Sequence, residues 1–142
     1  MSGNETTKIT AMMMIEVLGR PKEHLIETLK DLIKKIGEEK GVKVTDFKIK
    51  EPTLVKDQKD LYTTFAEIEV DVDQPQILSI LMFKYMPAHI DVIEPENIRL
   101  TNNGFADILS ELTRRLHRYE EIVRVLQAEK NMLENQLKKS KE

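Results

Sequence analysis

The chain has 142 residues, of which 40% are apolar and 33% charged, and its net charge is −3 at pH 7. This length fits one compact domain with an appended segment, and the near balance of charge provides no bulk attraction to nucleic acid or to an anionic membrane. The chain contains no cysteine, which excludes disulfides, thiolate metal ligands and a cysteine nucleophile.

The first seven residues, MSGNETT, are polar, and we predict that residues 1–7 form a disordered tail. They lack the basic and then apolar order of a signal peptide. No apolar run in the chain reaches the 18 residues of a membrane span. Together with the absence of cysteine, these features predict a cytoplasmic protein with no membrane partner.

The apolar pattern of residues 8–41 predicts a strand followed by a helix. Apolar residues occupy both parities of residues 8–19, which is typical of a central strand covered on both faces. Pro21 favours a helix start, and Gly41 favours its end. Between them, apolar residues recur at steps of four, three and four along one helix face: Leu25, Leu29, Leu32 and Ile36.

Residues 42–100 predict two strands, a second helix and a last short strand. Residues 42–52 are rich in lysine and end at a proline, which is typical of a strand at a sheet edge. Residues 61–73 alternate as a half-buried strand does. Residues 74–87 predict a helix that ends at a proline, and residues 89–94 predict a strand, with an extended piece at 97–100.

The order β-α-β-β-α-β, followed by a long helix, resembles the ferredoxin-like split β-α-β plan over residues 8–94. This resemblance implies an α+β fold, with an antiparallel sheet of strand order 4-1-3-2 and both helices on one face. The chain also resembles small uncharacterised archaeal proteins, without a diagnostic motif. We therefore divide it into a ferredoxin-like α+β head, residues 8–100, and a coiled-coil helix, residues 101–142.

The helix carries apolar residues at alternating steps of four and three over five heptads, with one polar exception. This spacing is that of the a and d positions of a coiled coil. We call these positions the seam: Phe105, Leu109, Leu112, Leu116, Tyr119, Val123, Leu126, Lys130, Leu133 and Leu137. Lys130, at an a position, lowers stability but can fix register and strand number.

The length of the predicted helix favours one of the two surfaces against which the seam can pack, the head or another helix. About 35 helical residues span roughly 50 Å, whereas strands of 5–8 residues offer only about 17–27 Å. Roughly half of the helix must extend beyond the head, and that half still carries Leu126, Leu133 and Leu137. We therefore predict pairing with a second copy, most simply as a dimer, or with a partner helix; folding back onto the head is the alternative.

The orientation of the paired helices stays open at this level. In a parallel pair, Arg115 and Glu120 attract across the interface, whereas Glu129 and Glu134 repel. Three further apolar residues widen the stripe beyond the a and d positions, so that the first half of the helix can also touch the sheet or join a larger bundle: Ile122, Val125 and Met132.

No pattern in the chain predicts catalysis, a metal or a cofactor. The three histidines lack metal-ligand spacing; His117 lies one turn from Glu120 and Glu121, but at a heptad position that faces water. The sequence has no glycine-rich phosphate loop and no arrangement typical of nucleophilic catalysis. We therefore predict a protein that is not an enzyme.

One cluster depends on the predicted topology. Strand order 4-1-3-2 brings the end of the first strand to the starts of the third and fourth, beside the first turn of the first helix. The residues brought together are Arg20, His24, Tyr62 and His89. With the helix N-terminus they can hold an anion, as regulatory ACT-type domains of this plan hold ligands; the alternative is a plain turn in solvent.

RNA-recognition modules share this topology and stack bases on aromatic residues of their central strands. Here the first strand has no aromatic residue, and Glu67, Glu69 and Asp71 share the face of Phe65, so nucleic acid is disfavoured. The sequence thus predicts a non-enzymatic assembly or adaptor protein, an α+β head on a coiled-coil stalk that mediates protein–protein interaction. The alternatives are a small-anion or metabolite-binding regulatory domain and, less favoured, an RNA-binding module.

Overall fold

A pair of long antiparallel strands forms the centre of the protein, seen in a computed structural model that describes residues 5–141. The strands and helices follow the chain in this order: β1 (Ile9–Gly19), α1 (Lys22–Glu38), β2 (Val42–Ile49), β3 (Thr53–Leu54), β4 (Tyr62–Val72), α2 (Pro75–Tyr85), β5 (His89–Glu94) and α3 (Asn102–Ser140). The predicted α+β class, with an antiparallel sheet and a long C-terminal helix, is confirmed.

The pairing of β1 with β4 creates the core. Their register runs without a shift from Ile9 opposite Val72 to Gly19 opposite Tyr62. Because side chains alternate across a strand, one residue in two points to the same face of the sheet. On one face these residues are all buried: Ile9, Ala11, Met13 and Ile15 of β1, with Ala66, Ile68, Val70 and Val72 of β4.

Both α1 and α2 cover that buried face. Leu29 and Ile36 of α1 and Leu81 of α2 are fully buried in the same cluster as the strand residues. Each such side chain contributes about 1.5–3 kcal/mol by leaving water. The predicted apolar face of the first helix is confirmed in part, since Leu32 packs only at the margin of the cluster.

The other face of the sheet carries charged side chains around two methionines. Met12 and Met14 lie opposite Glu69 and Glu67 of β4 and remain partly exposed. The prediction that the first strand is covered on both faces is therefore wrong for this face. The long methionine side chains are shielded in part by their charged neighbours, which produces the same apolar pattern in sequence as a covered strand.

The strands lie in the order β2-β4-β1-β5, and β3 pairs with the start of β4. The lysine-rich β2 thus forms an edge, where Lys43 and Lys48 are exposed and the register shifts between Val44 and Asp46. Such charges and bulges disfavour pairing with the edge of another sheet. The sequence did not predict β3, because a strand of two residues is too short to produce an alternating pattern.

Residues near the start of the chain contact the base of α3. The Thr6 amide donates to the Arg99 carbonyl at 2.8 Å, and the Gln76 side-chain amide donates to the Glu5 carboxylate at 2.7 Å. These contacts involve the second part of the predicted tail; residues 1–4 lie outside the described residues. The extended piece predicted at 97–100 forms no regular strand, but Arg99 pairs with Thr6.

Gly41 joins α1 to β2 in a conformation that disfavours other residues. Its φ is +78°, and a Cβ built on it lies 2.6 Å from the Ile77 Cδ1 atom. We expect Gly41→Ala to lower the free energy of unfolding by about 1–2 kcal/mol, because alanine is strained in the left-handed region. Urea denaturation followed by circular dichroism measures this.

Gly37, inside α1, is the matched control. A Cβ there meets the Val44 side chain at an ordinary 3.6 Å. Gly37→Ala should raise the free energy of unfolding by about 0.5–1 kcal/mol, since alanine is the better helix former. If both variants shift stability in the same direction, the assigned strain at Gly41 is wrong.

A polar contact ties the end of α1 to the end of α2. The Glu39 carboxylate accepts hydrogen bonds from the Lys84 ammonium at 2.5 Å and from the Tyr85 hydroxyl at 2.6 Å. The hydrogen bond from Lys84, and then that from Tyr85, lowers the pKa of Glu39 below its usual value. Burial, together with the Glu39 carboxylate, raises the pKa of Tyr85 above its usual value.

A carboxyl group whose pKa is lowered by folding stabilises the fold above its unfolded pKa, and this contribution is lost as the pH falls through the folded value. We expect Glu39→Gln to cost about 1 kcal/mol at pH 7. The difference from the native chain should shrink between about pH 5 and pH 3. Thermal or urea unfolding at several pH values measures it, with the exposed neighbour variant Glu38→Gln as a control. A pH-independent difference would contradict this assignment.

Candidate interface on the C-terminal helix

The C-terminal helix α3 has 39 residues, a length of about 58 Å at 1.5 Å per residue. Its first turn is capped by Thr101, whose hydroxyl accepts a hydrogen bond from the Gly104 amide at 3.0 Å. At the other end, Lys138 and Lys139 lie in the last turn, where positive side chains interact favourably with the helix dipole. A side-chain cap thus stabilises the start of α3, and positive charge stabilises its end.

The first half of α3 packs against α2. We call the buried and partly buried residues of this half of α3 the docking flank: Gly104, Ile108, Glu111, Leu112 and Arg115. Gly104 permits the close approach, because a Cβ there lies 2.6 Å from the Glu5 Oε1 atom and 3.0 Å from the Gln76 Nε2 atom. Within the single chain, this half of α3 lies against α2 and against Glu5 near the start of the chain; contact with the sheet or with a larger bundle stays a prediction.

Tyr119 connects α3 to the last turns of α2. Its hydroxyl donates to the Phe83 carbonyl at 3.0 Å, and the two rings lie 6.1 Å apart. All residues from Leu116 to 141 are exposed. The 21 residues from Glu120 to Ser140 therefore extend about 32 Å beyond the head.

The seam stays exposed along the helix except at Leu112, even in the part that packs on α2. The eight apolar seam residues other than Leu112 are each 38–64% exposed; Leu112 is partly buried and Lys130 is exposed. Phe105, for example, remains 52% exposed and Leu116 60% exposed. The three further apolar residues of the stripe, Ile122, Val125 and Met132, are also exposed.

The reason is a rotation around the helix axis. Four residues of the docking flank each precede a seam residue by one position: Gly104, Ile108, Glu111 and Arg115. One residue corresponds to a rotation of about 100°. The helix therefore packs on the head mainly through this flank and leaves most of the seam exposed, although Leu112 and Tyr119 of the seam also take part in the contact.

The far end of the seam forms a groove of about 370 Å³. We call it the distal groove, and it is lined by Leu126, Glu129, Lys130, Leu133, Glu134 and Leu137. Its floor consists of the three leucines, and its borders carry the two carboxylates and the ammonium group. An apolar floor between charged borders is the surface that one helix of a coiled coil presents to another.

The docking flank was not predicted from the sequence, although one signal for it exists. Gly104 and Ile108 are four residues apart and lie outside the a and d positions. A small residue and a large apolar residue at that spacing indicate a second contact face. A single pair of residues is a weak signal beside a heptad pattern that repeats five times.

The structure brings together only part of the predicted anion-binding cluster. Tyr62 pairs with Gly19, next to Arg20, and His24 lies in the first turn of α1. His89 pairs instead with Met14, five residues before Gly19, which is about 17 Å along the strand. Its imidazole lies 3.0 Å from the Asp91 carboxylate, and both groups are exposed. Anion binding stays a prediction, now for Arg20, His24 and Tyr62.

The comparison with protein families concerns both the head and the helix. The MJ0538 family profile matches residues 10–142. The chain belongs to the MJ0538 family. The match runs through the whole seam, so α3 is included in what the chain shares with the MJ0538 family. No curated protein and no solved structure matches the chain.

Two negative observations apply to the described part of this MJ0538-family chain. Across residues 5–141, no three His, Cys, Asp or Glu side chains are grouped so that they hold a metal ion. His117 lies 4.0 Å from the Glu120 carboxylate on the exposed surface of α3. Among the helices of the same residues, none has both the length and the apolar character that a membrane crossing requires.

Proposed function

We propose that this protein is a non-enzymatic assembly or adaptor protein, in which a ferredoxin-like head is carried on a coiled-coil stalk and a second copy of the chain supplies the other helix. The simplest assembly is a dimer in the cytoplasm. The observation that carries this proposal is the seam, in which every apolar residue from Phe105 to Leu137 except Leu112 stays exposed.

The energetics of the seam support pairing. Eight apolar seam side chains are 38–64% exposed in the single chain, and burying about half of each contributes about 1 kcal/mol per side chain. Two helices together then gain about 16 kcal/mol. Association costs about 4–15 kcal/mol, with a further cost of about 0.5–1.5 kcal/mol for each side chain that is ordered. Burial of the seam is therefore of the size that association requires.

The ferredoxin-like plan of the head is supported by two observations. The four longer strands lie in the order β2-β4-β1-β5, with the first and third of them at the centre. Residues of both α1 and α2 share one buried cluster with β1 and β4, so the two helices cover the same face. The head leaves the charged sheet face open and holds α3 by the docking flank.

Two aspartate substitutions within the seam test this function. In the full chain, Leu126→Asp with Leu133→Asp places charge at two seam positions, and we expect association at least about tenfold weaker, because buried unpaired charge is strongly unfavourable. The matched control, Ala128→Asp with Asn135→Asp, adds charge at the same spacing on the outer side of the helix. Sedimentation equilibrium measures both, with far-ultraviolet circular dichroism to verify helicity.

A native chain that sediments as a monomer at tens of micromolar, with normal helicity, would contradict the proposal. Deletion of residues 120–142 should leave a folded head with weakened association. An oligomer that survives this deletion would instead locate the interface on the open sheet face, around Met12, Met14 and Phe65.

A second prediction concerns the polar position of the seam. In a coiled coil Lys130 lies over the interface between Leu126 and Leu133, with its ammonium group reaching outward at a cost in stability. Lys130→Leu should complete the apolar core, raise the melting temperature and permit a change in oligomer number. Thermal melts and sedimentation velocity measure these effects.

The matched control for this substitution is Lys138→Leu, at a heptad position that faces water. We expect that variant to change stability by less than about 0.5 kcal/mol. If Lys130→Leu behaves in the same way as Lys138→Leu, the heptad assignment is wrong.

A further inference from the structure

The distal groove has the outline of two consecutive holes of a parallel coiled coil. The first hole is bounded by residues at heptad positions d, g, a and d: Leu126, Glu129, Lys130 and Leu133. The second is bounded by residues at a, d, e and a: Lys130, Leu133, Glu134 and Leu137. In parallel helices the first kind of hole receives an a side chain of the other helix and the second kind receives a d side chain.

In parallel pairing with the two helices in register, each hole receives a side chain of complementary character. Lys130 of the second copy enters the first hole, where its ammonium group lies beside the Glu129 carboxylate. Leu133 of the second copy enters the second hole, above an apolar floor. In this register the two Lys130 side chains lie opposite each other, and Glu129 faces Glu134 of the second copy, so like charges occur in both pairs. The two ammonium groups lie between four carboxylates, and each attracts the Glu129 of the other helix, which offsets both repulsions.

In other parallel registers the inserted Lys130 no longer lies beside Glu129. A shift by one heptad brings Lys130 into a hole whose g position is Ile122 or Gln136 instead of Glu129. Among the g positions of the seam, from Ile108 to Gln136, Glu129 is the one carboxylate. Only the unshifted register therefore gives the inserted ammonium group a carboxylate at its g border.

Antiparallel pairing over the full seam also separates Lys130 from Glu129 of the second copy. Placing Leu137 opposite Phe105 brings Lys130 opposite Leu112. Leu112 belongs to the docking flank, and the adjacent e and g residues are Thr113 and Arg115. Arg115 already pairs with the Glu111 carboxylate at 3.0 Å, so the ammonium group finds no free carboxylate at these positions, which is costly near an apolar interface.

From these observations we infer that α3 pairs with α3 of a second copy in parallel and in register, and that Glu129, Lys130 and Glu134 select this arrangement. The inference rests on the coiled-coil function proposed above and adds its orientation, its register and the residues that determine them. Both heads then lie at the same end of the stalk.

Disulfide trapping tests the orientation in the full chain, which has no native cysteine. Leu133→Cys should form a disulfide-linked dimer in a glutathione redox buffer, because parallel pairing in register brings the two d positions within disulfide reach. Asn135→Cys, on the outer side of the helix, is the control and should not cross-link. Non-reducing gels measure the linked fraction, and sedimentation of the reduced proteins reports association separately.

The alternative results are distinguishable. In the antiparallel arrangement position 133 faces position 109, so cross-linking only in a mixture of Leu133→Cys and Leu109→Cys chains would overturn the inference and leave the proposed function standing. A native chain that is a monomer would overturn both. An oligomer in which Leu133→Cys fails to cross-link would overturn the inference alone.

Charge exchange tests the selecting residues. Lys130→Glu should weaken association at least about tenfold, because three carboxylates of each helix then face one another. Mixing it with the double variant Glu129→Lys, Glu134→Lys should restore a dimer that contains one chain of each kind. Glu121→Lys, on the outer side of the helix, should leave association unchanged. A Lys130→Glu chain that associates as strongly as the native chain would refute the selecting role.

Discussion

The unshifted pairing of β1 with β4 is the interaction on which the rest of the structure depends. Eleven residue pairs, from Ile9 opposite Val72 to Gly19 opposite Tyr62, assign every side chain of the two central strands to one face or the other. A slip of one residue would exchange the faces. It would then expose Met13 and Ile68, which are fully buried, and bury the carboxylates of Glu67 and Glu69. The surfaces available to α1 and α2 follow from this register.

The position of α3 depends on the same core through one further contact. Leu81 anchors α2 in the core, while another side of α2 receives the docking flank of α3. Because most of the docking flank is offset from the seam by about 100° around α3, attachment to the head uses only Leu112 and Tyr119 of the seam. The helix thus packs within the chain on one stripe and leaves most of a second, apolar stripe exposed.

Much of this arrangement can be predicted from local sequence patterns. Alternation in residues 61–73 predicts a strand, apolar spacing in residues 105–137 predicts a long helix, and Pro87 predicts the end of the second helix. The corresponding elements β4, α3 and α2 are present in the structure. The failures have physical reasons too. The apolar run of the first strand does not distinguish a covered face from one that is shielded by neighbouring carboxylates, as at Met12 and Met14. The position of His89 depends on where β5 begins along β1, which is a tertiary property that no local pattern encodes.

The contact between Tyr119 and Phe83 has a mechanical consequence. All residues beyond it, up to 141, are exposed, and about 32 Å of helix extend past it. A tilt of α3 by about 5° at this contact displaces the far end of the helix by about 3 Å over that length. Such a displacement is comparable to the width of a methyl group, so small changes in packing under Tyr119 shift the position of the far seam residues relative to the head.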